Sequence, residues 1–420
     1  MKEFIETPKD RKRRDLLLFS TILLIITPTL VIIQYNSTPE KVTSQLPNIY
    51  IRCNQAINSE NYIPSVIELN ECIFLSNIKY RGKISVTFPK KGYRLELKGR
   101  HSLLGMRIDD DWQLIANYLD HTRMRTKLAF DLWRALLPSN PTAILPESIF
   151  LKLFINNEFQ GLYLLSERTD RRLFGLNDSQ NNLNTSLLLQ VPGHHYNFEE
   201  LVHWEQDYPN EEDGIYIADQ IIEDLIFFMK NTSNEEFFNV ITGIFSKFDK
   251  KNLIDFYLFN FFIHHKNFWS NNYYLVRNSM PSKFFLIPWD FDGSFGQMGW
   301  KKYNSNSTVY FGGRNLLYKR LFHNKEFMQE VKTRWAELRA DLWTKEYIFG
   351  IISKIYNQIQ EILEIELEMW KPITVEGYIS PEWPDECFYS NEEFDLNEAI
   401  QFLYNWTEER LQFCDLYFAL

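Results

Sequence analysis

The spacing of apolar residues changes along this chain, and that change limits the folds it can adopt. Ile84, Val86 and Phe88, then Tyr93, Leu95 and Leu97, recur at every second position, the period of strands with one buried face. Between the two sets lies Pro89-Lys90-Lys91-Gly92, so a hairpin is expected across residues 83–98. A second hairpin is expected across 148–165, where Ile149, Leu151, Leu153 and Ile155 alternate and Asn156-Asn157-Glu158 turns the chain. Elsewhere the period lengthens. Met124, Leu128, Leu132 and Leu136 have helical spacing within 122–137, and residues 215–229 and 252–264 also read as helices. Ile348, Ile351, Ile352, Ile355, Ile359 and Ile362 form the core-facing stripe of another helix, and Asp395-Leu396-Asn397-Glu398 opens the last one with a capping-box pattern. Residues 284–289 read as a short buried strand, and the polar stretch 171–213, acidic from 199 onward, as a solvated insertion. Strands first and mostly helices later predict an α+β fold with a sheet-rich lobe and a helical lobe.

Ahead of this body, residues 16–33 are almost wholly apolar, near the lower limit for a membrane-spanning helix. The first fourteen residues hold six basic groups against three acidic ones, which places the N-terminus in the cytoplasm and the body outside it. A cleaved signal peptide has the same charge pattern, but no small-x-small site follows Ile33. The whole chain carries −10, and the body is more acidic still. That excludes general nucleic-acid binding, since a phosphate backbone needs a basic face. No Cys-x-x-Cys pair occurs among Cys53, Cys72, Cys387 and Cys414, so zinc and thioredoxin-type chemistry are not indicated. Outside the cytoplasm Cys53 and Cys72 fit either a disulfide or two buried free thiols.

Chemistry concentrates in residues 267–296. Pro288-Trp289-Asp290-Phe291-Asp292-Gly293 sets two carboxylates two positions apart after an apolar strand. Hard oxygen donors of this kind suit Mg²⁺, which takes one or two carboxylates plus substrate phosphates. The bland alternative is a turn in which Asp290 caps backbone amides. Asn267 and Asn272 precede this motif at the five-residue spacing that protein kinases use for a catalytic Asp and a metal-binding Asn. A second cluster, Arg81-Gly82-Lys83-Ile84-Ser85 with Pro89-Lys90-Lys91-Gly92-Tyr93-Arg94, can bring cations and backbone N–H groups to phosphate oxygens, or can be a solvated hairpin.

These segments form part of a longer ordered pattern. It includes Leu104-Gly105-Met106, Asp110-Asp111-Trp112-Gln113-Leu114, Asn117-Tyr118-Leu119-Asp120 and Arg125-Thr126-Lys127-Leu128-Ala129. It continues through residues 155–168, Phe259-Asn260, Asn272-Tyr273-Tyr274-Leu275 and Ile287-Pro288-Trp289-Asp290-Phe291-Asp292. The chain thereby resembles the spore-coat-protein-H (CotH) kinase family of atypical protein kinases across residues 78–300. The resemblance implies an extracytoplasmic kinase that uses ATP and Mg²⁺ or Mn²⁺ to phosphorylate a protein substrate. It also implies a division into a basic tail (1–14), a membrane anchor (15–35), a linker (36–48), a kinase-like domain (49–345) and a helical C-terminal part of the same body (346–420). Lys91 or Lys90, with Arg81, would meet the phosphates; Asp290, Asp292 and Asn272 would hold the metal; Glu167 would end the strand leading to the adenine site. Asn267 stands where the family carries a catalytic Asp, and an amide cannot accept a proton as a carboxylate does. His264 and His265 are nearby substitutes. The alternatives are a scaffold that keeps the fold, and another ATP-dependent protein modification.

Overall fold

The computed structural model describes residues 46–419 apart from 181, 194–196, 211–215, 267–270, 309–314, 373–389 and 391. Its first part is a closed seven-stranded barrel. The strands are β1 (Asn48–Cys53), β2 (Ile63–Leu69), β3 (Cys72–Arg81), β4 (Gly92–Ser102), β5 (Ile108–Ile115), β6 (Ser148–Ile155) and β7 (Glu158–Glu167), ordered β1-β2-β3-β4-β5-β7-β6. Parallel pairing of β1 with β6 closes the ring, and the other pairs are antiparallel. Alternation fills the interior: Ile49, Ile51, Ile67, Ile78, Leu95, Trp112, Leu114, Leu151, Leu153 and Leu165 share one core. The β6–β7 hairpin forms as its sequence predicts. Asn156 and Asn157 both take positive φ, 51° and 70°, as a two-residue type I′ turn requires.

Helix α1 (Arg125–Arg134) links β5 to β6. A second sheet follows, built from β8 (Leu187–Gln190), β9 (Glu205–Tyr208), β10 (Tyr273–Arg277) and β11 (Phe285–Pro288) in the order β11-β10-β8-β9. Between β9 and β10 run α2 (Ala218–Asn231), two single turns α3 (Asn234–Phe237) and α4 (Ile244–Lys247), and α5 (Lys250–Phe262). Helix α5 is buried on almost every side. It is pinned to β11 by Asn252, whose amide gives to Leu286 O at 3.0 Å and receives from Leu286 N at 2.7 Å. A two-stranded ribbon, β12 (Gln297–Met298) and β13 (Lys301–Lys302), leads to α6 (Leu316–Leu321), α7 (Lys325–Ala340), α8 (Lys345–Met369) and α9 (Leu396–Tyr417). Asp395 caps α9 by accepting from Asn397 N and Glu398 N. The architecture is mixed α+β.

Two expectations need correction. Residues 84–88 are not a strand: Gly82, at φ +101°, ends β3, and a 3₁₀ turn (Ser85–Thr87) follows. The Lys91 ammonium bonds the carbonyls of Val86 and Phe88, which holds that loop closed and gives its alternating residues a local rather than a sheet role. The 171–213 stretch is not wholly a solvated insertion, because Leu187, Leu188 and Leu189 are fully buried as β8, at the centre of the second sheet. Three consecutive leucines were the signal, masked by polar neighbours. Cys53 is a buried free thiol and Cys72 an exposed one, placed by the strand register opposite Ser65 and Leu69 of β2. Among the described residues no helix is long and apolar enough to cross a membrane. The apolar run 16–33 lies outside them.

Candidate functional site

The β10–β11 hairpin brings the head of one strand beside the tail of the other. Tyr273 pairs with Pro288, and Trp289 N–H gives to the Asn272 carbonyl at 2.8 Å. Asn272 and Asp290 both adopt left-handed backbone, φ 60° and 62°, which Asn and Asp tolerate best among residues with a Cβ. Two anchors hold Asp290 there. The Phe291 ring is buried against Phe130, Phe259 and His265, and the His265 ring nitrogens lie 2.7 Å from the Asp290 carbonyl and 2.8 Å from Asn260 Oδ1. With Phe291 turned inward, Asp290 is left exposed and Asp292 half-exposed. Asp290 is accessible at the surface, yet the protein packed around both carboxylates solvates them less well than water does.

The electrostatics follow. Burial raises the Asp290 pKa, opposed by Arg81. Burial, then Asp290 and Asp120, push Asp292 up to about 8 against Arg81 and Arg123. Both carboxylates, raised in this way, would gain from further positive charge, which a divalent cation can supply. Among the described residues no three His, Cys, Asp or Glu side chains gather as a metal cluster. Two carboxylates, on the strand that pairs with the one Asn272 precedes, still suit Mg²⁺, which keeps sites open for water and phosphate oxygens.

Of the expected phosphate cations, only Arg81 faces these aspartates. Its guanidinium lies over the Trp289 ring, 5.8 Å from the centroid. Lys91 is turned to the 3₁₀ loop carbonyls, as described, and away from this group. The Lys90 ammonium is buried and bonds Glu366 Oε1 at 2.5 Å, Ala116 O at 3.0 Å and Leu162 O. Burial lowers its pKa, with Glu366 acting against that. The Glu167 carboxylate is likewise engaged, accepting from the main-chain N–H of Arg107 at 3.1 Å and of Glu147 at 2.9 Å. His264 and His265 are buried, which lowers them to about 3 and 4, so both rings are neutral and packed. Asn267 lies outside the described residues.

Sequence reasoning missed the buried hub that ties the surrounding segments together. Glu366, fully buried on α8, receives Lys90 and Arg123 Nε (2.9 Å) on one oxygen and Leu162 N–H (2.8 Å) on the other. Arg123 also gives to the carbonyls of Asn117, Tyr118, Asp120 and Trp370. Next to it, Asp120 accepts from Arg125 and Thr122, while Arg125 reaches Ser294 O at 3.1 Å and Gln297 Oε1 at 2.9 Å. One network thus ties α8, the barrel and the turn before α1, and another ties that turn to the segment just after Asp292. A signal for Glu366 existed: it continues the isoleucine stripe seven residues beyond Ile359.

Gly161 leaves room for the hub. It sits at φ +101°, and a Cβ there would lie 2.1 Å from Glu366 Oε2. Gly161→Ala is expected to destabilise the fold by about 2–4 kcal/mol, from backbone strain plus overpacking. Urea denaturation measures this, and a loss under about 1 kcal/mol would mean that α8 moves aside freely.

The model of the CotH kinase protein family matches residues 78–414. The chain belongs to the CotH kinase protein family. It is also similar to the inner spore coat protein H of Bacillus subtilis (strain 168), 26% identical over 310 residues, which is 71% of this chain and 80% of that protein. The CotH match reaches α9, so it takes in both aspartates and the Glu366 hub.

Proposed function

We propose that this chain is an ATP- and divalent-metal-dependent kinase that phosphorylates Ser or Thr of an extracytoplasmic protein. The observation that carries this reading is the pair Asp290 and Asp292 at the end of β11, beside Asn272 and across from Arg81. Protein kinases place their metal-binding Asn and Asp in this chain order, at the end of the catalytic loop and in the Asp-Phe-Gly motif. In this reading the barrel serves as the sheet-rich lobe and the rest of the body as the helical lobe. Asp290, Asp292 and Asn272 would hold the metal. His265 and Phe291 fix the backbone from which Asp290 projects. ATP with its metal, when bound, supplies the transferable phosphoryl group, and phosphoryl transfer needs mainly positioning and charge neutralisation from the protein. The N-terminal basic tail and apolar run would hold the body at the outer face of a membrane. The B. subtilis relative is a spore coat protein by name, and coat or envelope proteins are the acceptors we favour. Incubation with γ-labelled ATP and Mg²⁺ or Mn²⁺ is the test: labelled protein supports the reading, and nucleotide binding without transfer opposes it.

One observation favours a second reading, a kinase-like scaffold of a surface assembly: Asn267 replaces the family's Asp. If only the base is missing, Asn267→Asp raises phosphate transfer while ATP affinity stays nearly constant. General-base contributions are about 10²–10⁴-fold, so partial restoration is visible in a timed transfer assay. Equal, appreciable rates in both proteins would show that no base at 267 is needed. No transfer by either would favour the scaffold.

A further inference from the structure

We propose that one rim of the barrel docks on a membrane surface bearing anionic headgroups, through exposed Ile73, Leu75 and Ile108 set beside Lys98 and Arg100. That the body stands next to a membrane rests on the anchoring proposed above. The rim itself is a feature of the barrel.

The strand register puts these residues at one end. Ile49, near the start of β1, pairs with Leu69, and Leu69 pairs with Cys72 across the turn Asn70-Glu71. Strands β3, β4 and β5 alternate in direction, so the end of β4 and the start of β5 meet at the same rim, where Ser102 pairs with Ile108. Between Glu96 and His101 the register of β4 with β5 shifts, and Lys98-Gly99-Arg100 bulges from the ladder. The Phe74 and His101 rings, 5.0 Å apart and edge-on, hold this bulge beside the first residues of β3. Phe74 packs on the barrel core, so its neighbours Ile73 and Leu75 point outward. They are 68% and 59% exposed, and Ile108 is 68% exposed.

Large aliphatic side chains in water at one rim, with two exposed cations on the bulge beside them, have the composition of an interfacial membrane contact. The acidic neighbours have local partners: Glu68 pairs with Arg52 at 2.8 Å, and Asp109 and Asp110 with Arg172. Glu71 stays exposed on the turn. The N-terminal segment joins the barrel at this rim too. Its apolar run closes at Ile33 and the described chain opens at Leu46, just ahead of β1, so residues 34–45 span at most about 40 Å. Tethered that closely, the rim meets the bilayer at high effective concentration, and a contact too weak to form alone becomes occupied. A free partner protein has no such tether. Arg81, which faces Asp290 and Asp292, lies at the other end of β3, about 30 Å along the strand from Cys72. Docking turns that end of the barrel away from the lipid, toward acceptors that stand off the membrane.

The test uses the full chain reconstituted in phosphatidylcholine vesicles with and without phosphatidylglycerol. In a Cys387→Ser background, an environment-sensitive fluorophore on the exposed thiol of Cys72, next to Ile73, reports lipid contact through quenching by doxyl-labelled lipid. This parent is expected to float with both kinds of vesicle and its probe to be quenched, more strongly with phosphatidylglycerol. Ile73→Glu with Leu75→Glu is expected to float as before and to lose the quenching, with an unchanged unfolding midpoint. Lys98→Glu with Arg100→Glu is expected to lose the dependence on phosphatidylglycerol. Flotation with an unquenched probe would overturn the docking and keep the anchor. Quenching that survives both pairs of substitutions would also overturn it. Cross-linking of Cys72 between copies, without quenching, would assign the rim to a second copy instead. A parent that does not float would overturn docking and anchor together.

Discussion

Glu366→Ala is expected to be the most destabilising single substitution outside the apolar core, at about 3–5 kcal/mol. The reason is the company this carboxylate keeps. Lys90 and Arg123 are both buried at 1% exposure, and Glu366 is the counter-charge that both contact. Removing it leaves two cations in a poorly solvating interior and strands the Leu162 N–H. A domain's total stability is only about 5–15 kcal/mol, so the variant should sit near the threshold of folding. Glu366→Gln, which retains the shape and one acceptor, should fall between wild type and Ala. Urea denaturation gives the values. A loss below about 1 kcal/mol for Glu366→Ala would mean that the cations find water or other partners, and that the hub does not hold α8 to the barrel.

The hub also shows where sequence reasoning stops. The β6–β7 hairpin was legible because its cause is local: two asparagines that accept positive φ, flanked by alternating apolar residues. The Asp290–Asp292 motif was legible because an apolar strand and a glycine frame it. Lys90 and Lys91 were not distinguishable, since adjacent lysines in a turn look alike until their partners are known. Those partners are 276 residues away for Lys90 and three to five for Lys91. The first arm of the expected 83–98 hairpin failed for a related reason. Alternation marks one-sided burial, and a loop folded over Tyr118 satisfies it as well as a strand does. Gly92 read as a turn residue, whereas its position opposite Arg81 emerges only from the register of β3 with β4.

Asp290→Ala should have the largest effect on ligand binding. Asp290 is held in a left-handed backbone by buried neighbours, and as a residue with much of its surface exposed it carries none of their packing, so truncation should spare the fold. In the proposed site the loss would fall on the metal. Removing a direct ligand should weaken metal-dependent nucleotide binding by more than about 100-fold, beyond the 10–100-fold typical of changes in residues that only support a ligand. The measurement is calorimetric titration of ATP into the purified chain with Mg²⁺ present, for wild type and for Asp290→Ala, with a chelator control. The account predicts binding by wild type that disappears both with chelator and in the folded variant. Unchanged affinity in a folded Asp290→Ala would contradict it and remove the end of β11 from the nucleotide site.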